Sequence, residues 1–110
     1  AQASSENLFI EKDFKIYTPP LGNIFPGITR QTVIDICKQL GFEIIEKRLT
    51  IEEIYNADSA FLSGTAAEII GIQQVDQVIF KEEWENTIGA SIQRKYKNLV
   101  LEQENYEVII

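Results

Sequence analysis

Histidine and methionine are both missing, and cysteine and tryptophan occur once each, as Cys37 and Trp84. Without histidine the chain cannot build a Ser-His or Cys-His pair, or a histidine-ligated metal centre, from its own residues. A single cysteine closes no internal disulfide, which points to a reducing, cytoplasmic setting. No apolar run approaches the ~20 residues that cross a bilayer, and no charged-then-apolar leader opens the sequence. Cations are scarce: 10 lysines and arginines stand against 17 aspartates and glutamates, a formal charge of −7 with pI ≈ 4.5. Nucleic acid and anionic membranes are therefore not expected as main partners, because a basic patch is their usual footprint. An acidic chain can still hold an anion if backbone N–H groups are the donors. The missing methionine and the abrupt opening Ala1-Gln2-Ala3-Ser4-Ser5 lead us to expect a fragment or a processed product.

What remains is the composition of a globular domain. The 110 residues are 45% apolar and 25% charged, enough for one domain with a modest core. Residues 6–10 read as a strand and residues 15–18 as its hairpin partner, with residues 11–14 as the turn. Pro19-Pro20 ends that strand. A helix follows, with Val33, Ile36, Cys37 and Leu40 on its apolar face. Gly41 closes it as a C′ residue, and Phe42 makes the contact beyond. Residues 42–49 read as a strand. Thr50-Ile51-Glu52-Glu53 is a capping box that opens a short helix ending near Ala57-Asp58. Residues 60–63 and 69–75 read as strands around a turn, and residues 78–80 as a further short strand. Asn86 is expected to cap a last helix striped by Ile88, Ile92, Tyr96, Leu99 and Val100. Alternating strands and helices give the class α/β (α+β).

Two stretches carry candidate chemistry. In Phe25-Pro26-Gly27-Ile28-Thr29-Arg30, an uncrowded helix start presents free N–H groups and a hydroxyl, which physically suits a phosphate. The plain alternative is that every helix has such an end. In Ser63-Gly64-Thr65-Ala66-Ala67-Glu68, small side chains allow close approach, and successive N–H groups can line a concavity for a phosphate or carboxylate. The plain alternative is a tight strand connection. Cys37 reads as buried core, Trp84 as a half-exposed packing residue, and Glu82, Glu83 and Glu85 as a solvated face without calcium-loop spacing.

The strings SENLFIEKD, KIYTPPL, PGITR and LGFEIIEKRLTIEEIYNADSAFLSGTAAEI occur here in the order found in class IV aminotransferases. The chain resembles that fold type IV family, and the SGTAAE turn most resembles its branched-chain amino acid aminotransferases. The resemblance covers nearly the whole chain. It implies that residues 1–110 are the C-terminal part of a large, cofactor-binding domain built on a mixed sheet with packed helices. It further implies pyridoxal phosphate as cofactor, an amino acid and a 2-oxo acid as small-molecule partners, and a homodimer. Family roles fall on Ile28, Thr29 and Thr65 as phosphate donors, and on the N–H groups of Thr65 and Ala66 for the substrate carboxylate. Gln2 stands where the family usually has a glutamate facing the pyridine nitrogen, and a neutral amide supplies no charge there. The family's Schiff-base lysine lies before the matched stretch, and none of the seven lysines here occupies its position. Phe14 and Gln77 replace a frequent glycine after Asp, and Gly71 replaces a frequent proline. The resemblance leaves two other roles open: a non-catalytic binding or assembly module, and D-amino acid aminotransferase or aminodeoxychorismate lyase chemistry on the same fold.

Overall fold

The computed structural model describes the backbone of residues 7–20, 28–63 and 69–109, and side chains within 8–20, 30–63 and 69–99. Five strands, β1 (Asn7–Lys12), β2 (Lys15–Thr18), β3 (Glu43–Glu46), β4 (Ser59–Ser63) and β5 (Ile69–Ile72), form one sheet in the order β3-β2-β1-β4-β5. Helix α1 (Ile28–Gln39) connects β2 to its parallel neighbour β3. Helix α2 (Ile51–Tyr55) leads into β4. Strands β6 (Gln74–Val75) and β7 (Val78–Ile79) make a separate hairpin, and the long helix α3 (Ile88–Ile109) follows. The α/β class expected from the alternation is the class observed.

Pleat alternation sorts the core into two layers. Phe9, Ile16, Phe61 and Ile69 point to the face covered by Val33, Ile36 and Cys37 of α1 and by Ile88, Ile92 and Tyr96 of α3. Phe9 and Phe61 are cross-strand partners whose rings stack at 5.0 Å, and Trp84 meets Phe61 edge-on at 6.3 Å. Ile10 and Ala60 point the other way, toward Phe80, Ile54 and Val75. That layer is thinner because its cover is a five-residue helix and a hairpin of two-residue strands.

Local chemistry sets the element ends. The first hairpin turns on Asp13 and Phe14 alone, with φ of 53° and 64°, so β1 runs to Lys12, past the strand read from sequence. Two consecutive left-handed residues give the turn that matches strand twist. Gly41, at φ 85°, ends α1: its N–H donates to Lys38 O, and the Phe42 N–H donates to Cys37 O. That pair of bonds is a Schellman closure. It leaves Leu40 exposed, while Ile34 is buried instead. The Thr50 capping box is present in both directions. Its helix stops at Tyr55, earlier than the sequence suggested, because the Asn56 and Ala57 N–H groups close on Glu52 O and Ile54 O.

Four other expectations are corrected. The strand expected over residues 42–49 is confined to Glu43–Glu46, because its partner β2 ends at Thr18. The strand expected over residues 69–75 breaks at Gln73, whose carbonyl accepts from Phe80 N, so the chain leaves β4 and pairs with β7. The cap of α3 is Thr87, not Asn86, because a 3₁₀ turn (Trp84–Asn86) moves the helix start by one residue. The Thr87 hydroxyl accepts from Ala90 N at 3.1 Å. Finally, the strand expected over residues 78–80 ends at Ile79, because Phe80 N turns to bond Gln73 O.

Glu11 joins the sheet to α3. Its side chain is buried on β1, and Oε1 accepts from Ser59 Oγ at 3.1 Å and from Ile88 N at 2.9 Å. A carboxylate from the central strand thus receives the first free N–H of α3, where the helix dipole favours negative charge. Glu11→Ala should lower unfolding free energy by about 2–3 kcal/mol, since two buried donors lose their acceptor. Glu11→Gln, which keeps an acceptor oxygen but not the charge, should lose about half as much. Urea denaturation of the three chains checks both values, and equal stability of Glu11→Ala and the parent would disprove the assignment.

Candidate functional site

Strands β2 and β3 are parallel, and β1 is antiparallel to both β2 and β4. Consequently β2, β3 and β4 finish at the same end of the sheet, where β1 and β5 begin. Ser63 pairs with both Asn7 and Ile69 there, while the Thr18 hydroxyl donates to Leu8 O at 2.7 Å. The residues that precede β1, those that follow β2 and those between β4 and β5 all attach at this end. The topology therefore brings together strand ends that are far apart in sequence.

Helix α1 starts at this end, with no acidic residue in its first turn and Lys38 in its last. The first feature leaves the positive N-terminal end open to an anion, and Lys38 complements the negative end. Arg30, in the first turn, is only 4% exposed. Its Nη2 donates to Pro19 O at 3.0 Å and lies 3.6 Å from Glu46 Oε2. One guanidinium thus ties the helix start to the ends of β2 and β3. Among the described residues, the two buried side-chain polar atoms without a hydrogen-bond partner are Arg30 Nε and Ser63 Oγ. Both belong to residues at this end.

The predicted site residues fall as follows. Ile28 and Thr29 form the first backbone turn of α1, and their side chains lie outside the described ones. Gln2, Thr65 and Ala66 lie outside the described residues altogether. Arg30 and Ser63 stood in the quoted motifs without a role. Partial signals for both were a cation beside a helix start and a serine next to a glycine.

A shallow pocket of about 340 Å³ lies at the opposite end of the sheet, against Ser59, Gly71, Gln73, Phe80, Trp84 and Thr87. Trp84 is fixed there by an Nε1 donation to Gln93 Oε1 at 3.1 Å. A Cβ on Gly71 or Gly89 would come within 2.7 Å of its ring, so both glycines are needed for close approach.

Cys37 is the only thiol in the chain. It is fully buried and donates weakly to Phe42 O at 3.7 Å. Burial pushes it up from 9.0 to about 11, so at neutral pH it is a packed thiol without nucleophilic character.

Comparison with known proteins gives a consistent picture. The family model described as amino-transferase class IV matches residues 1–75. A branched-chain-amino-acid aminotransferase of Pseudomonas aeruginosa is 41% identical over 100 residues, covering 91% of this chain and 33% of that protein. The solved branched-chain aminotransferase of Thermoproteus uzoniensis with norvaline is 42% identical, with TM-score 0.81 over 91% of this chain and 33% of its own. The branched-chain amino acid aminotransferase of Escherichia coli is 39% identical, with TM-score 0.78 over 86% of this chain and 32% of its own. The chain spans about a third of the length of these relatives. No helix among the described residues is long and apolar enough to cross a membrane.

The thiol generates a pH prediction. A folded-state value above the unfolded one means that the unfolded chain gives up the proton first as pH rises. The stability tied to Cys37 is therefore complete below about pH 9 and is lost progressively toward pH 11. The urea midpoint of the parent should fall faster than that of Cys37→Ala across that range. Parallel curves would mean that the thiol titrates normally in the folded chain.

Proposed function

Because this chain belongs to the amino-transferase class IV family, we propose that it is the C-terminal part of the pyridoxal-phosphate-binding domain of a branched-chain amino acid aminotransferase. The whole protein would move an amino group between a branched-chain amino acid and 2-oxoglutarate. The observation that supports this reading is that the described ends flanking the three motif-bearing stretches, at Asn7, Thr18, Ile28, Ser63 and Ile69, lie at one end of the sheet. The names of the relatives favour the branched-chain class over the D-amino acid and lyase alternatives.

The residues present fit a phosphate monoester. The helix start carries no acidic side chain, Arg30 ties it to two strand ends, and the buried hydroxyl of Ser63 lacks a partner. In this reading the N–H groups of Ile28 and Thr29, with Thr65, would hold the cofactor phosphate. The N–H groups of Thr65 and Ala66 would hold the substrate α-carboxylate and so orient the reacting carbon. Gln2 would face the pyridine nitrogen with a neutral amide, leaving that nitrogen without a counter-charge. The cofactor supplies the electron sink for the exchange, and the chain supplies binding and orientation. No lysine of this chain is assigned the Schiff-base role.

A homodimer and a cytoplasmic setting belong to the same proposal. The outer strands β3 and β5 have no further partner among the described residues, and Ile70 on β5 is 45% exposed. Such edges invite pairing.

Thr65→Ala and Gln2→Glu, made in the full-length protein, test the reading. Thr65→Ala should weaken retention of pyridoxal phosphate about 10-fold, the loss expected for one charge-assisted hydrogen bond. Gln2→Glu should raise the transamination rate. Unchanged cofactor affinity in Thr65→Ala would refute the phosphate role. No rate gain in cofactor-loaded Gln2→Glu would remove Gln2 from the site. The intact mass of the natural protein after borohydride reduction decides the rest: a longer chain carrying a reduced cofactor adduct is expected. A mass equal to this chain alone would favour the non-catalytic module.

A further inference from the structure

Two polar atoms in the described structure break a rule that the rest of it keeps. Arg30 is 4% exposed and Ser63 is 2% exposed, yet Arg30 Nε and Ser63 Oγ have no hydrogen-bond partner. A buried donor left unpaired is unfavourable, and folded proteins keep few of them. Here the two are not scattered. Ser63 lies two residues beyond Phe61 on β4, so it points to the same face, the one covered by α1 and α3. Arg30 belongs to α1 and reaches Pro19 O just past β2, beside Leu8 at the start of β1. Asn7, the next residue back along β1, is the cross-strand partner of Ser63. Both residues therefore lie at one face and one end of the sheet, the end at which a 12-residue helix with no acidic residue in its first turn begins.

We propose that Ser63 and Arg30 are positioning residues of the phosphate seat, and that Ser63 Oγ and Arg30 Nε gain their hydrogen-bond partner only when a phosphate monoester is bound. The inference rests on the phosphate-seat reading above and extends it to two residues that reading does not use. Its physical content is a trade-off. The empty chain carries two unsatisfied donors, and the occupied chain satisfies them. Part of the ligand's binding free energy comes from relieving that penalty.

The trade-off predicts effects of opposite sign, which a merely structural residue would not give. Thermal melting and titration calorimetry are run on the full-length protein as parent, Ser63→Ala and Arg30→Lys, with pyridoxal 5'-phosphate, inorganic phosphate and unphosphorylated pyridoxal as probes. Without ligand, Ser63→Ala should melt about 4 °C higher, because an orphaned hydroxyl has been removed. It should bind pyridoxal 5'-phosphate about 10-fold more weakly. Arg30→Lys keeps a cation for Pro19 and Glu46 but lacks Nε, and it should show a similar loss of affinity. Unphosphorylated pyridoxal should not distinguish the chains. Ser63→Ala removes a single oxygen, so it decides the matter even if Arg30→Lys fails to fold. A lower melting temperature for ligand-free Ser63→Ala would overturn the proposal, since the hydroxyl would then already be bonded. Parent-like affinity in Ser63→Ala would overturn it alone and leave the seat standing. A parent chain that binds neither phosphate probe would overturn the seat and this inference together.

Discussion

The fold depends on where the Glu11 carboxylate sits. It leaves the middle strand of the sheet and accepts hydrogen bonds from β4 and from the first residue of α3, 77 positions away in sequence. That contact decides where α3 begins against the sheet. Once Ile88 is fixed, helical spacing carries Ile92 and Tyr96 onto the stacked rings of Phe9 and Phe61. Trp84 is then trapped between Gly71 and Gly89, with no room for a Cβ at either position. One buried acid thus sets the geometry of the far end of the sheet, and the burial of the larger apolar layer follows from it.

The opposite end is built on another logic. Its closures are polar and join the ends of elements: Thr18 to Leu8, and Arg30 to Pro19 and Glu46. These bonds hold strand ends and a helix start in fixed relation. The far end has its hydrogen bonds satisfied by Glu11 and Thr87, whereas this end keeps two donors open. A rigid, satisfied end and an unsatisfied one suit a scaffold that must hold its shape while presenting donors to a ligand.

How much of this could be read from sequence depends on how far each interaction reaches along the chain. The capping box of Thr50 and Glu53, the closure at Gly41 and the hairpin after β1 are set by residues within a few positions of one another, and all three were legible. The misplaced ends have the same origin in reverse. The end of β3 is set by its distant partner β2, and the break at Gln73 by a switch of partner from β4 to β7. Neither leaves a local trace. Glu11 looked like a turn residue because its partners are 48 and 77 positions away. The candidate site was half legible. The helix start could be seen, but that it lies at the sheet end where β4 finishes needs the strand directions. Sequence cannot supply those without the pairing.

The acidic balance of the chain fits a seat made from neutral donors. A phosphate dianion held by lysines would need a local surplus of cations, which a chain of net charge −7 is poorly placed to supply. Backbone N–H groups at a helix start carry partial positive charge without adding to that count. Arg30, at this end, spends its Nη2 on Pro19 O and Glu46, within the scaffold. It holds the helix start in place and leaves its Nε without a partner. In the proposed reading an amide at Gln2 would remove the counter-charge of the ring and leave the phosphate donors unchanged. Phosphate binding and ring activation would then be separate tasks on separate stretches of chain, and the first could survive the loss of the charge that serves the second.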